Sequence, residues 1–123
     1  MTQPIRVAPI NVPGQQTWND ETFPLVLACQ APASLEASTA WVHENRAKLI
    51  DQAAQHGAIL FRGFPLSTPQ ELDAFVTAFG QENFAYDQSL SNAVRVNKTP
   101  RVFTANEAPR NYTIYLHHEL AQT

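Results

Sequence analysis

His117 and Glu119 stand one residue apart near the end of an alternating segment, Ile114-Tyr115-Leu116-His117-His118-Glu119-Leu120. On a strand, side chains i and i+2 project to the same side, roughly 6.5–7 Å apart along the backbone. An imidazole nitrogen and a carboxylate oxygen can therefore aim at one point. Together they supply two corners of a 2-His-1-carboxylate triad, the ligand set that leaves three positions on Fe(II) open for substrate and oxygen. A second His must come from elsewhere. The alternation selects His117 over His118: Thr113, Tyr115, His117 and Glu119 share one face, whereas Ile114, Leu116, His118 and Leu120 share the apolar face expected to pack.

The spacing alone is weak evidence. With 4 His and 11 acidic residues in 123, chance gives roughly 0.36 His-x-acid pairs. Judged on composition, an exposed polar strand end with one hydrogen-bonded His is the commoner origin of such a pair. A zinc hydrolase would use the same ligand types, but the spacing of helical zinc motifs is missing.

Several elements must hold that segment in place. Residues 1–22 carry Pro4, Pro9, Pro13 and Gly14 among polar residues, which predicts an extended lead-in. Phe23 to Cys29 is a short apolar run that reads as a strand. Residues 38–55 favour helix, with Val42, Leu49, Ile50, Ala53 and Ala54 as the apolar stripe and Gly57 as the stop. His43 and Glu44 on that helix are expected to face solvent, and His56, in its last turn, complements the helix dipole when protonated. Ala58 to Phe61 is continuously apolar, the pattern of a central strand buried on both faces, with Arg62 as a charge at its end. Thr68-Pro69-Gln70-Glu71 is a capping box with proline at the first helical position. Leu72, Phe75, Val76 and Phe79 follow at i, i+3, i+4 and i+7, so all four are expected in the core, with Gly80 ending the helix. Residues 81–90 read as loop, followed by short strand-like pieces at 93–96 and 102–104.

Two blocks carry a resemblance. Val102-Phe103-Thr104-Ala105-Asn106-Glu107-Ala108-Pro109 leads into Ile114-Tyr115-Leu116-His117-His118-Glu119-Leu120-Ala121-Gln122, and the earlier His56-Gly57-Ala58-Ile59-Leu60-Phe61-Arg62-Gly63-Phe64-Pro65-Leu66 precedes a short amphipathic helix. In this order and spacing, over residues 20–123, the chain resembles the TauD/TfdA family, most closely its clavaminate synthase-like branch. The resemblance implies an α+β chain forming the N-terminal portion of a double-stranded β-helix, or jelly roll, with flanking helices. Residues 23–123 would be the first part of the dioxygenase domain.

It also implies Fe(II) held by His117 and Glu119, 2-oxoglutarate as cosubstrate, dioxygen, and hydroxylation of a small molecule with release of succinate and carbon dioxide. Asn106, Glu107 and Arg110 would lie on the substrate rim, although turn chemistry around Ala108-Pro109 explains each of them as well. Family members usually run to more than twice this length. Their distal His and the Arg that anchors 2-oxoglutarate lie beyond the His-x-Glu motif, and His43 and His56 do not match the distal position. The expectation is a fragment, a truncated product or an incomplete gene reading, inactive by itself. The alternative is a non-catalytic remnant that acts at most as a binding piece.

Composition bounds the rest. The chain is 44% apolar with a formal charge of −3, enough for one small core and without the basic footprint of a nucleic-acid binder. The single Cys29 excludes an internal disulfide and fits a reducing compartment. The N-terminus lacks the basic start and apolar run of a signal peptide, and no apolar stretch approaches the roughly 20 residues that span a bilayer. The expectation is a cytoplasmic protein without membrane association.

Overall fold

The computed structural model describes residues 3–83, 95–105 and 107–117. Their elements are β1 (Val7–Pro9), β2 (Gln16–Trp18), β3 (Glu21–Phe23), β4 (Leu25–Cys29), α1 (Leu35–His56), β5 (Ile59–Arg62) and α2 (Pro69–Thr77). The arrangement is α+β: a three-stranded sheet in the order β1-β4-β5, a separate β2-β3 hairpin and two helices. β1 pairs antiparallel with β4, Ala8 opposite Ala28, and β5 pairs parallel with β4, Leu27 opposite Phe61. Parallel neighbours need a long crossover, which α1 provides.

The central strand differs from the one predicted. β4, with Val26, Leu27 and Ala28 all buried, has a neighbour on each side, whereas β5 has a described neighbour on one side only and Ile59, Leu60 and Phe61 are half-buried. An apolar run identifies a strand covered on both faces but not which of two such runs is central. The lead-in is likewise more than a tether, because Val7–Pro9 adds a strand to this sheet and 16–23 forms a hairpin. That hairpin turns through Asn19 and Asp20, both at positive φ (49° and 64°), the two-residue loop whose twist matches its strands.

α1 begins three residues before the predicted start. Ser34 caps it, its Oγ accepting from the Ala37 amide at 3.0 Å, and so satisfies a donor that has no partner inside the helix. Gly57, at φ 86°, ends it as predicted. Val42 and Leu49 are buried, but Ile50 of the predicted stripe is 41% exposed. α2 carries the full capping box: Glu71 donates its amide to Thr68 Oγ1 at 3.2 Å and its Oε2 accepts from the Thr68 amide at 3.0 Å. Phe75 is 4% exposed and packs with Leu27, Val42 and Leu49, with Phe61, Phe64 and Phe79 around it. Ring centroids of Phe75 lie 5.3 Å from those of both Phe61 and Phe64, in the edge-to-face geometry that aromatic quadrupoles prefer.

Leu72 and Val76 were expected in this core and are instead 40% and 39% exposed. Among the described residues, α1 and the sheet cover only part of the apolar stripe of α2. α2 turns its Phe75 and Phe79 edge inward and leaves the Leu72 and Val76 edge at the surface. The described residues contain neither the paired sheets of a jelly roll nor a closed barrel or doubly wound sheet.

Candidate functional site

The path from the core to the candidate metal ligands runs through residues 95–117. Asn97 and Phe103 form an isolated antiparallel bridge, so among the described residues of the strand-like pieces predicted here pairing is confined to the neighbourhood of that bridge. The Thr104 amide donates to Val96 O at 2.9 Å and the Val96 amide to Thr104 Oγ1 at 2.9 Å. Lys98 and Thr99 amides both donate to Val102 O, at 2.8 and 3.0 Å. Arg95 sits over the Phe103 ring, its guanidinium carbon 5.3 Å from the centroid, a cation–π contact.

Residues 112–117 form no strand, contrary to the alternation in their sequence. Ile114 and Leu116, the predicted packing face, are exposed, Leu116 fully, and so is Tyr115 of the opposite face. A strand needs a hydrogen-bonded neighbour and a surface to bury one face against, and the described residues give this segment neither. Of the predicted pair, His117 is described, whereas Glu119, together with His118, lies outside the described residues.

His117 makes a contact within its own segment. Its Nδ1 lies 2.6 Å from Tyr115 O, and because a carbonyl only accepts, Nδ1 carries the proton. A histidine whose Nδ1 is held by a backbone carbonyl ligates metals through Nε2. No group of three His, Cys, Asp or Glu side chains that could hold a metal converges among the described residues.

His43 and His56 lie on α1. His43 is exposed on α1, as predicted, together with Glu44. His56 Nδ1 donates to Thr22 O at 2.8 Å and lies 3.7 Å from Glu21 Oε2, while Gln55 Nε2 donates to Glu21 Oε1 at 2.7 Å. This set ties the β2-β3 hairpin to the end of α1, a role more specific than the predicted complement to the helix dipole.

Of the rim candidates, Glu107 and Arg110 are exposed, Arg110 lying in the turn closed by the Tyr112 amide on Pro109 O at 2.9 Å; Asn106 is outside the described residues. Arg62 is exposed at the end of β5. Cys29 is partly buried, its thiol donating to Ala31 O at 2.9 Å. A cleft lined by Gln3, Arg6, Pro32 and Ser34, about 380 Å³ in volume, shares no residue with 95–117. None of the described helices is long and apolar enough to cross a membrane.

Sequence reasoning missed Asp73. On α2 it is an ordinary polar-face residue, yet its carboxylate accepts from Thr99 Oγ1, from the Arg101 amide at 3.3 Å and from Thr77 Oγ1 at 3.1 Å. The Thr99 hydroxyl above all, with the remaining donors and against the opposing effect of burial, holds the Asp73 pKa below its ordinary value. With Asp73 and Thr99 26 positions apart, no local pattern announces the pair.

Comparison with known proteins covers this region as well as the core. The family described as taurine catabolism dioxygenase TauD, TfdA family, matches residues 21–123. A clavaminate synthase-like protein of Arabidopsis thaliana is 34% identical over 117 residues, 90% of this chain and 35% of the relative. The chain thus spans about a third of the length of that curated relative.

Proposed function

This chain belongs to the TauD/TfdA family, and from that premise we propose that it supplies the N-terminal part of an Fe(II)- and 2-oxoglutarate-dependent dioxygenase. In this reading residues 23–123 open the catalytic domain, β1 of the lead-in joins its sheet, and a jelly roll is completed by further chain. Two of the metal ligands are His117 and Glu119. The observation that carries the reading is that the family match extends through His117 and Glu119. The Nδ1–H donation of His117 to Tyr115 O supports it, since a histidine held in that way ligates metals through Nε2.

Fe(II) with 2-oxoglutarate and dioxygen would supply hydroxylation of a small molecule, succinate and carbon dioxide leaving as coproducts. What this chain contributes is positioning. The sheet, α1 and α2 form a packed base, the 96–104 hairpin carries the chain away from it, and Glu107 and Arg110 lie on the way to His117, where they would meet a substrate entering. A cytoplasmic location suits this chemistry and a single reduced Cys29.

By itself the 123-residue chain is expected not to couple 2-oxoglutarate decarboxylation to substrate oxidation. His43 and His56 are the other histidines besides His118, one exposed on α1 and one bound to Thr22. Two ligands do not fix a metal as positioning catalysis requires.

Co(II) titration followed by visible absorption, and succinate formation with Fe(II), ascorbate and oxygen, test this on the unmodified chain and on His117→Ala. The expected result is weak Co(II) binding that His117→Ala removes, and no succinate from either. Equal binding by both would refute the ligand assignment. Turnover that disappears in the variant would refute the inactivity and place a third ligand at His43, His56 or a second copy of the chain.

A further inference from the structure

The 96–104 hairpin has a single bridge of its own, Asn97 with Phe103, and a two-stranded hairpin of that size is marginal in water. Something else must hold it. Among the described residues, the side-chain hydrogen bonds joining it to the base all fall on α2 or the residues that follow it. Asp73 Oδ2 receives the Thr99 hydroxyl and the Arg101 amide, while Oδ1 is fixed by Thr77 Oγ1 one turn along α2. Thr99 Oγ1 accepts in turn from the Arg101 and Val102 amides, at 3.2 and 2.9 Å. Arg101 Nη2 donates to Gln81 O at 3.1 Å and Asn83 Nδ2 to Pro100 O at 3.0 Å.

We propose that Asp73 is a positioning residue, the centre of a clasp that seats the 98–102 tip on α2 and so fixes the point at which the segment bearing His117 leaves the base of the molecule. A carboxylate suits the task because it is acceptor-only and binds several donors at once, with charge-assisted strength. Thr99 relays that anchor into the turn, since its hydroxyl donates to Asp73 and accepts from two amides of the tip. Arg101 adds an opposite charge close to the carboxylate. Gln81 and Asn83 steady the tip from the side but do not reach its turn amides. Removing Asp73 or the Thr99 hydroxyl should therefore free the hairpin while the Phe75 core stays intact.

That the clasp serves a metal site rests on the functional reading above; that it fixes the hairpin does not. Three measurements on the full chain separate the two. In amide hydrogen exchange, Asp73→Asn and Thr99→Val should each raise the rates at Arg101, Val102 and Thr104 about tenfold, with α1 amides unchanged. Thr99→Ser, which keeps the hydroxyl, should retain the unmodified rates, and the double variant Asp73→Asn/Thr99→Val should be no faster than either single one. For the departure point, spin labels at Asp51→Cys on α1 and Ala105→Cys, in a Cys29→Ser background, should give a narrow distance distribution that broadens on adding Asp73→Asn.

Unchanged exchange and an unchanged distribution in Asp73→Asn would overturn the proposal, as would Thr99→Ser behaving like Thr99→Val. In the third measurement, Co(II) affinity should fall about threefold in Asp73→Asn and vanish in His117→Ala. Failure of the unmodified chain to bind Co(II) would overturn the metal reading, with the clasp then decided by exchange and distance.

Discussion

Phe75 and Leu116 are both large apolar residues in segments of regular pattern, yet Phe75 is 4% exposed and Leu116 is fully exposed. The difference lies in what surrounds them. Around Phe75, β4, β5, α1 and the connection from β5 to α2 bring Leu27, Phe61, Phe64, Val42 and Leu49 into one cluster. Around Leu116, the described residues offer no sheet edge and no helix face. The base thus carries its own core, while the segment with His117 has the sequence of a strand without the neighbour that would make it one.

The comparison can be broken most directly by truncation. Phe75→Ala should cost about 3–5 kcal/mol in urea unfolding, because it removes a buried ring and leaves a cavity among Phe61, Phe64 and Phe79. Leu116→Ala, in the same assay, should stay within about 0.5 kcal/mol. A comparable loss in both would mean that the segment packs onto the base after all. His117→Ala should likewise leave stability within about 0.5 kcal/mol while removing Co(II) binding.

Smaller effects sharpen the description of the base. Gly57→Ala places a Cβ 3.0 Å from Phe23 Cδ2 at a φ of 86°, and should destabilise by roughly 1 kcal/mol or more. Thr68→Ala removes the acceptor for the Glu71 amide and should cost about 1 kcal/mol. An equal loss in the double variant Thr68→Ala/Glu71→Ala would show that the two ends of the capping box act as a unit.

The smallest effect is a pH dependence shared between the two regions. Glu71 is held below its ordinary 4.5 chiefly by the Ser67 amide, and Asp73 below its ordinary 3.8 chiefly by the Thr99 hydroxyl. A carboxyl with a lowered folded pKa contributes stability that is fully present above its unfolded value and lost as pH falls through the folded one. Stability should therefore decline below about pH 4.5, and the decline should shrink in Thr99→Val. Both groups are at the surface, so the slope should be shallow.

Local signals in the chain were informative wherever the cause was local. The Thr68-Pro69-Gln70-Glu71 box, the Gly57 stop and the apolar runs at 23–29 and 58–61 act through neighbouring residues, and helices and strands formed there within a few positions. The family blocks were legible for the same reason, being contiguous. Expectations failed where the outcome depended on a partner distant in sequence: β4 rather than β5 at the centre, β1 recruited from the lead-in, Leu72 and Val76 left at the surface, and no strand at 112–117.

The sequence by itself determined the kind of residue offered for chemistry, a His and a carboxylate two apart, and the family to which the chain belongs, because residue type and spacing are written along one line. Tertiary structure alone decided that Thr99 meets Asp73 across 26 residues, that His56 clasps the hairpin at Thr22, and that Ile114 and Leu116 stay in solvent. Such contacts are fixed by which surfaces are brought together. A side chain's burial and hydrogen bonds belong to its neighbours in space as much as to its own identity.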